Sequence, residues 1–156
     1  MRKFMLLLAV FGLVSLAWAA DPSEGTWKLN IAKSKFAPSV EAPMKEETIV
    51  KRALDADLFE VTVKGTRTDG STFSEKITHP QKGGVQKTQP APAAGEFYVV
   101  TVIGPGNFYI THIQNEKQVQ VEHWVIDKDG KTGHNTIKGI DAKGKPYEEV
   151  GVWEKQ

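Results

Sequence analysis

The chain has no cysteine among its 156 residues. That absence excludes disulfide bonds, thiol catalysis, a lipidated N-terminal cysteine and cysteine-ligated metal sites. The fold must therefore hold by its core alone. Arginine is scarce: beyond Arg2, only Arg52 and Arg67 occur. Neither sign of charge is in excess, with 20 Lys+Arg against 19 Asp+Glu, and the basic residues are scattered. This balance provides no electrostatic basis for binding nucleic acid or an anionic membrane surface. After residue 20 no long stretch carries the 3.6-residue period of an amphipathic helix. Also missing are Gly-x-Ser-x-Gly, His-x-His and His-Glu-x-x-His, so no acyl-transfer or zinc-hydrolase motif is present.

What is present begins with Arg2-Lys3, followed by an apolar run over residues 4–16 broken only by Gly12 and Ser15, and then Ala17-Trp18-Ala19. A positive start, an apolar centre and small residues at the two positions read by the peptidase form an export signal. The run is shorter than the roughly 20 apolar residues that span a bilayer. The expectation is a signal peptide over residues 1–19 and one domain over residues 20–156. The protein would be exported to a bacterial periplasm or to the extracellular space, with no membrane span after cleavage. Losing Arg2 and Lys3 leaves 18 basic against 19 acidic residues.

The rest alternates between apolar and polar, punctuated by Gly, Asp, Asn and Pro. Phe59, Val61 and Val63 share one strand face, with Glu60, Thr62 and Lys64 on the other. Strands are expected over residues 25–31, 47–54, 58–66, 72–79, 85–89, 97–103, 108–113, 118–126, 132–140 and 147–154. Asp129-Gly130 is a strong hairpin signal, because its turn needs residues that tolerate positive φ. Residues 90–95, Pro-Ala-Pro-Ala-Ala-Gly, read as an exposed loop, since proline cannot donate to a ladder. The expected fold class is all-β: a single antiparallel up-and-down β-barrel of about 8–10 strands, with closure removing edges. A strongly curved sandwich has the same pattern.

Two short motifs add a resemblance. Gly25-Thr26-Trp27-Lys28-Leu29 resembles the Gly-x-Trp signature on the first strand of lipocalins and fatty-acid-binding proteins. Val152-Trp153-Glu154-Lys155-Gln156 is similar to the closing aromatic-Glu-Lys of the latter. Residues 25–30 and 32–36 also resemble the start of a group of exported, lipocalin-like bacterial proteins of unknown function. The resemblance implies a calycin-like barrel with Trp27 plugging its closed end. It stops short of a fatty-acid clamp. Residues 32–43 are too short and too proline-rich for a two-helix lid. Gly151 stands where the carboxylate-binding arginine would be, and no arginine near the C-terminus packs on the signature tryptophan.

Four histidines, His79, His112, His123 and His134, raise the question of metal. Register places His123 and His134 as diagonal neighbours, roughly 7 Å apart at the backbone. Two donors do not make a metal site, so no metal and no cofactor are expected. Glu148 and Glu149 point to opposite faces and cannot pair as acid and base. The aromatic residues are the better lead. With Asn115-Glu116 as a two-residue turn, Tyr109, Trp124 and Ile126 share a face. With the last hairpin closing around Lys143, Ile137 faces Glu149, and Tyr147, Gly151 and Trp153 join them. The opposite face, with Phe108, Ile110, Val119, Val121, His123 and Val125, is no less apolar. Parity therefore leaves the inner face open, and a one-residue bulge reverses it. The resembled families turn their terminal aromatic inward, which implies the Trp124/Trp153 face. The expected ligand-binding set is Trp27, Tyr109, Trp124, Ile137, Tyr147, Glu149 and Trp153, with Glu149, Glu122 or Asn135 orienting a polar group. The expected function is a secreted binding module for a small apolar or amphipathic ligand held in the barrel, and not an enzyme. The alternative is a barrel with a filled core, acting through loops such as residues 90–95 on an envelope or protein partner. A buried carboxyl group or histidine with a strongly perturbed pKa inside a cavity would point to catalysis instead.

Overall fold

The computed structural model describes residues 21–37, 43–141 and 143–156. The expected signal over residues 1–19 lies outside them. Eleven antiparallel strands form among the described residues: β1 (Gly25–Leu29), β2 (Met44–Ala53), β3 (Leu58–Arg67), β4 (Thr72–Pro80), β5 (Gly84–Val85), β6 (Lys87–Gln89), β7 (Glu96–Gly104), β8 (Asn107–Gln114), β9 (Lys117–Ile126), β10 (Thr132–Ile140) and β11 (Pro146–Lys155). They make one sheet in the order β5-β7-β8-β9-β10-β11-β1-β2-β3-β4-β6. The fold is a nearly closed up-and-down barrel, which separates it from the sandwich reading.

The two ends of that order are halves of one short segment. Gly84 and Val85 pair with Val100 and Val99 on β7. Lys87, Thr88 and Gln89 pair with Thr78, Ile77 and Lys76 on β4. Residues 84–89 thus bridge the seam covalently, and the backbone N–H of Gln86 donates to the Tyr98 carbonyl at 2.9 Å. The expected single strand over residues 85–89 is split because its two halves serve opposite walls.

Local chemistry sets most turns. Gly130 has φ +67, and the Asp129 carboxylate accepts from the backbone N–H of Lys131 at 2.8 Å. Asn115 and Glu116 have φ +49 and +64, as a two-residue hairpin turn requires. β1 stops at Leu29 because the Asn30 side chain accepts from the Lys33 N–H and caps one 3-10 turn over Ile31–Lys33.

One register departs from expectation. The β8–β9 ladder runs regularly to Ile113↔Gln118, then shifts so that His112 pairs with Gln120. Val119 is the extra residue of this bulge. It places Phe108 opposite Trp124 and Tyr109 opposite His123. Phe108 and Trp124 therefore share the inner face, while Tyr109 turns outward and stacks on His123 at 4.2 Å between centroids.

The densest packing lies at one end of the barrel. Trp27, Leu29, Trp124 and Trp153 are buried together, with Phe108, Ile110 and Ile126 against them. Trp27 is 2% and Trp153 3% exposed, and the Trp124 and Trp153 rings lie 5.2 Å apart. Trp153→Ala is expected to cost about 3–5 kcal/mol, the range for removing a buried aromatic side chain. Guanidinium unfolding followed by circular dichroism measures it as a drop in midpoint at constant slope.

Candidate functional site

The barrel encloses a cavity of about 680 Å³. Residues from β1 to β4 and from β7 to β11 face it. Its closed end is the tryptophan cluster, sealed by residues 21–24. Ser23 is buried. Its carbonyl accepts the Trp27 indole N–H at 2.8 Å, and its hydroxyl accepts from Lys51 Nζ at 2.7 Å while donating to Asp21. At the opposite end by strand register, Ala37, Pro43, Arg67, Phe73 and Pro90–Pro92 border the space. The expected exposed loop over residues 90–95 thus also contributes to the cavity wall.

Of the seven residues expected at the site, Trp27, Trp124, Ile137, Glu149 and Trp153 line this cavity. Tyr109 does not, because the Val119 bulge turns it outward. Tyr147 packs its ring over Gly139 and donates its hydroxyl to Gln120 Oε1 at 2.8 Å, outside the cavity lining. Glu122 and Asn135, expected as orienting groups, both face the cavity.

These two belong to one relay. The Trp153 indole N–H donates to Asn135 Oδ1 at 2.9 Å, and the Asn135 amide donates to Glu122 Oε1. Gly151 makes it possible: a Cβ there would lie 2.0 Å from Asn135 Oδ1, so a side chain would push the amide off the indole. Burial raises the Glu122 pKa, opposed by hydrogen bonds from Asn135 and Trp124, while nearby Glu149 raises it further. Glu149 is held by the Ala37 N–H at 2.9 Å.

The opposite wall carries charge that alternation did not flag. Glu47, Ile49 and Lys51 share the inner face of β2, and Glu75, Ile77 and His79 that of β4. Burial pushes the Glu47 carboxyl up to about 7, with Glu122 and Glu75 adding to the rise and Arg67 opposing it. Lys51 is 7% exposed, and burial pulls its amine down to about 8, against the pull of Asp21 and Glu24. Its Nζ sits 4.2 Å from the Phe59 ring centre and 4.6 Å from that of Phe108, so cation–π attraction replaces part of its lost hydration. Burial also lowers the His79 pKa, and its Nδ1 reaches the Pro80 carbonyl at 3.0 Å.

His112 stacks on Tyr98 at 4.4 Å, and its Nε2 is buried without a hydrogen-bond partner among the described residues. His123 and His134 lie on the outer face, against Asn107 and Asp127. Among the described residues no group of three His, Cys, Asp or Glu side chains can hold a metal ion. Glu47, Lys51 and Glu75 were missed because a charge at an inward position of a half-polar strand looks like an ordinary surface residue, and His79 and His112 were weighed only as metal ligands. The usable signal was Ile49: pairing it with Val63 would have turned both its charged neighbours inward.

Fold and cavity together define a nearly closed, all-β up-and-down barrel with a partly charged interior. No protein-family model and no curated sequence matches the chain. Its fold is similar to that of the fluorescent protein UnaG, with TM-score 0.56 and 14% identity over 86% of this chain and 97% of that one. Looser overlays are found with Rv2717c from M. tuberculosis, TM-score 0.49 and 12% identity over 89% and 96% of the two chains, and with lobster apocrustacyanin A1, TM-score 0.43 and 10% identity over 90% and 64%. At these identities the likeness is one of fold.

The raised Glu47 pKa has a consequence for stability. Between pH 4.5, its ordinary value, and about pH 7, the folded protein holds a proton that the unfolded chain has released. Stability contributed by this group is complete below the lower value and is lost as pH rises through the upper one, by at most on the order of 3 kcal/mol. Urea unfolding of the wild type and of Glu47→Gln across this range is expected to show the wild type losing stability relative to the variant as pH rises. Parallel curves would refute the assignment.

Proposed function

We propose that this chain is an exported carrier or sequestering protein for a small apolar or amphipathic molecule held inside the barrel. The observation that supports it is the cavity of about 680 Å³, within the roughly 300–1,000 Å³ of small-molecule sites. Its wall joins an apolar surface of Trp124, Phe108, Ile110, Ile49 and Val63 to a few polar groups. A barrel acting only through its loops has no use for that space, since a void forfeits packing energy. Transport out of the cytoplasm is supported by Arg2-Lys3, the apolar run and Ala17-Trp18-Ala19. Cleavage after Ala19 spares residues 21–24, which seal the barrel's closed end. N-terminal sequencing of protein from the periplasmic fraction is expected to begin at Ala20.

A second reading has one observation in its favour. A carboxyl group titrating near neutrality inside a cavity suits a general base, and Glu47 is such a group. Recovering a bound probe and analysing it by mass spectrometry separates the two readings, because a carrier returns it unchanged and an isomerase or hydrolase does not.

Native mass spectrometry of the protein purified from its host compartment is expected to show a co-purifying small molecule. Neutral apolar probes are expected to quench the tryptophans. Ile137→Trp and Val63→Phe, which fill the space from opposite walls, should each weaken probe binding by about tenfold, or ~1.4 kcal/mol. Tyr109→Ala, on the outer face, should leave it unchanged. No co-purifying molecule and no quenching by any probe would sink the carrier reading.

A further inference from the structure

The cavity's charges are unequal in how far they are already engaged. Lys51 is committed to the closed end, bonded to Ser23 and enclosed by two rings. Arg67 lies over the Phe73 ring at 4.9 Å and has further interactions of its own. Glu149 takes the Ala37 N–H, and Glu96 takes the Gln114 amide at 2.6 Å. Glu47 and Glu75 accept no hydrogen bond from any described residue, yet both face the cavity. Gly65 stands opposite Glu47 on β3, and Val63, two residues earlier, stands opposite Glu75 on β4. The two carboxyls are therefore diagonal across a strand that places no side chain beside Glu47. Glu122 approaches from the far wall, flanked by Ile110 and Ile137.

Resting on the carrier reading, we propose that the cavity selects amphipathic cations: an amine head seated among Glu47, Glu75 and Glu122, and an apolar body against the tryptophan end. A hydrophobic pocket alone accepts any apolar molecule. Glu47 and Glu122 are desolvated by burial, and Glu75, on the exposed side of the lining, adds its charge to theirs. Ionised carboxylates so placed repel one another, and a cation relieves that repulsion where a carboxylate ligand would add to it. The groups facing Glu47 are Glu75 from β4, Glu122 from β9 and Arg67 from β3, and Glu149 from β11 faces Glu122. Since Glu47 titrates at about 7, seating a cation drives its proton off. Amine binding therefore releases protons and strengthens as pH rises through neutrality.

Isothermal titration with decylamine, decanol and decanoate tests this, since the three share a tail and differ in the head. Decylamine is expected to bind at least about tenfold more tightly than decanol, and decanoate more weakly than either. Two buffers of different ionisation enthalpy should report proton release with decylamine and none with decanol, a readout that needs only the wild-type protein. Amine affinity should fall by about tenfold from about pH 8 to about pH 6, following the ionised fraction of a group titrating near neutrality. Glu47→Gln and, independently, Glu122→Gln should erase much of the amine's advantage while decanol still binds. Equal affinities, a preference for decanoate, or amine binding without proton release would overturn cation selectivity and leave the carrier reading standing. Failure of all three ligands to bind would overturn the carrier reading itself.

Discussion

β1 bonds to β11 along one edge and to β2 along the other, and these two ladders join the β2–β4 meander to the β7–β11 meander at that side of the barrel, with a bridge between Lys35 and Val150 beside them. Five residues are a short strand to bear this. What fixes them is the side chain at their centre: Trp27 points inward onto the Trp124/Trp153 cluster, and its indole N–H is satisfied by Ser23. Burying that ring removes more apolar surface from water than most other single residues in the chain could. The same placement orders residues 21–24 across the barrel's end. Sheet continuity, the closed end and the cavity floor thus depend on one buried aromatic.

The opposite side closes by another means. Residues 84–89 hand their hydrogen bonds from β7 to β4, so the sheet's two edges are a single stretch of backbone. Edge strands invite pairing with other chains, and here each edge is two or three residues long. A barrel made this way keeps its shape without a packed centre. That permits a space lined by Glu47, Glu75, Glu122, Lys51 and His79, none of which would be placed in a core chosen for stability. Glu47 and Lys51 both carry burial penalties, and perturbed groups of this kind gather at functional sites.

Much of the architecture was legible in the chain. The expected strand over residues 132–140 matches β10, and most others agree to within a residue or two. β2 is the main exception, beginning three residues early. The turns follow from local preferences: Asp129-Gly130 and Asn115-Glu116 each accept positive φ. Ile137↔Glu149 and His134↔Val125 hold as the turn lengths require. The Glu122–Asn135–Trp153 relay was half visible, because its members share one parity. Tyr109 and Phe108 were each assigned to the wrong face for one reason, the bulge at Val119.

The chain by itself determined where strands begin, turn and end, and that they form one all-β domain. These are settled within a few residues by backbone dihedral preferences and by apolar alternation. The tertiary structure decided which face of β8 points inward, that residues 84–89 seal the seam, and that Glu47 and Lys51 lie inside rather than on the surface. A bulge, a seam and a buried charge each depend on what stands across the barrel, and only the closed sheet brings those distant strands together.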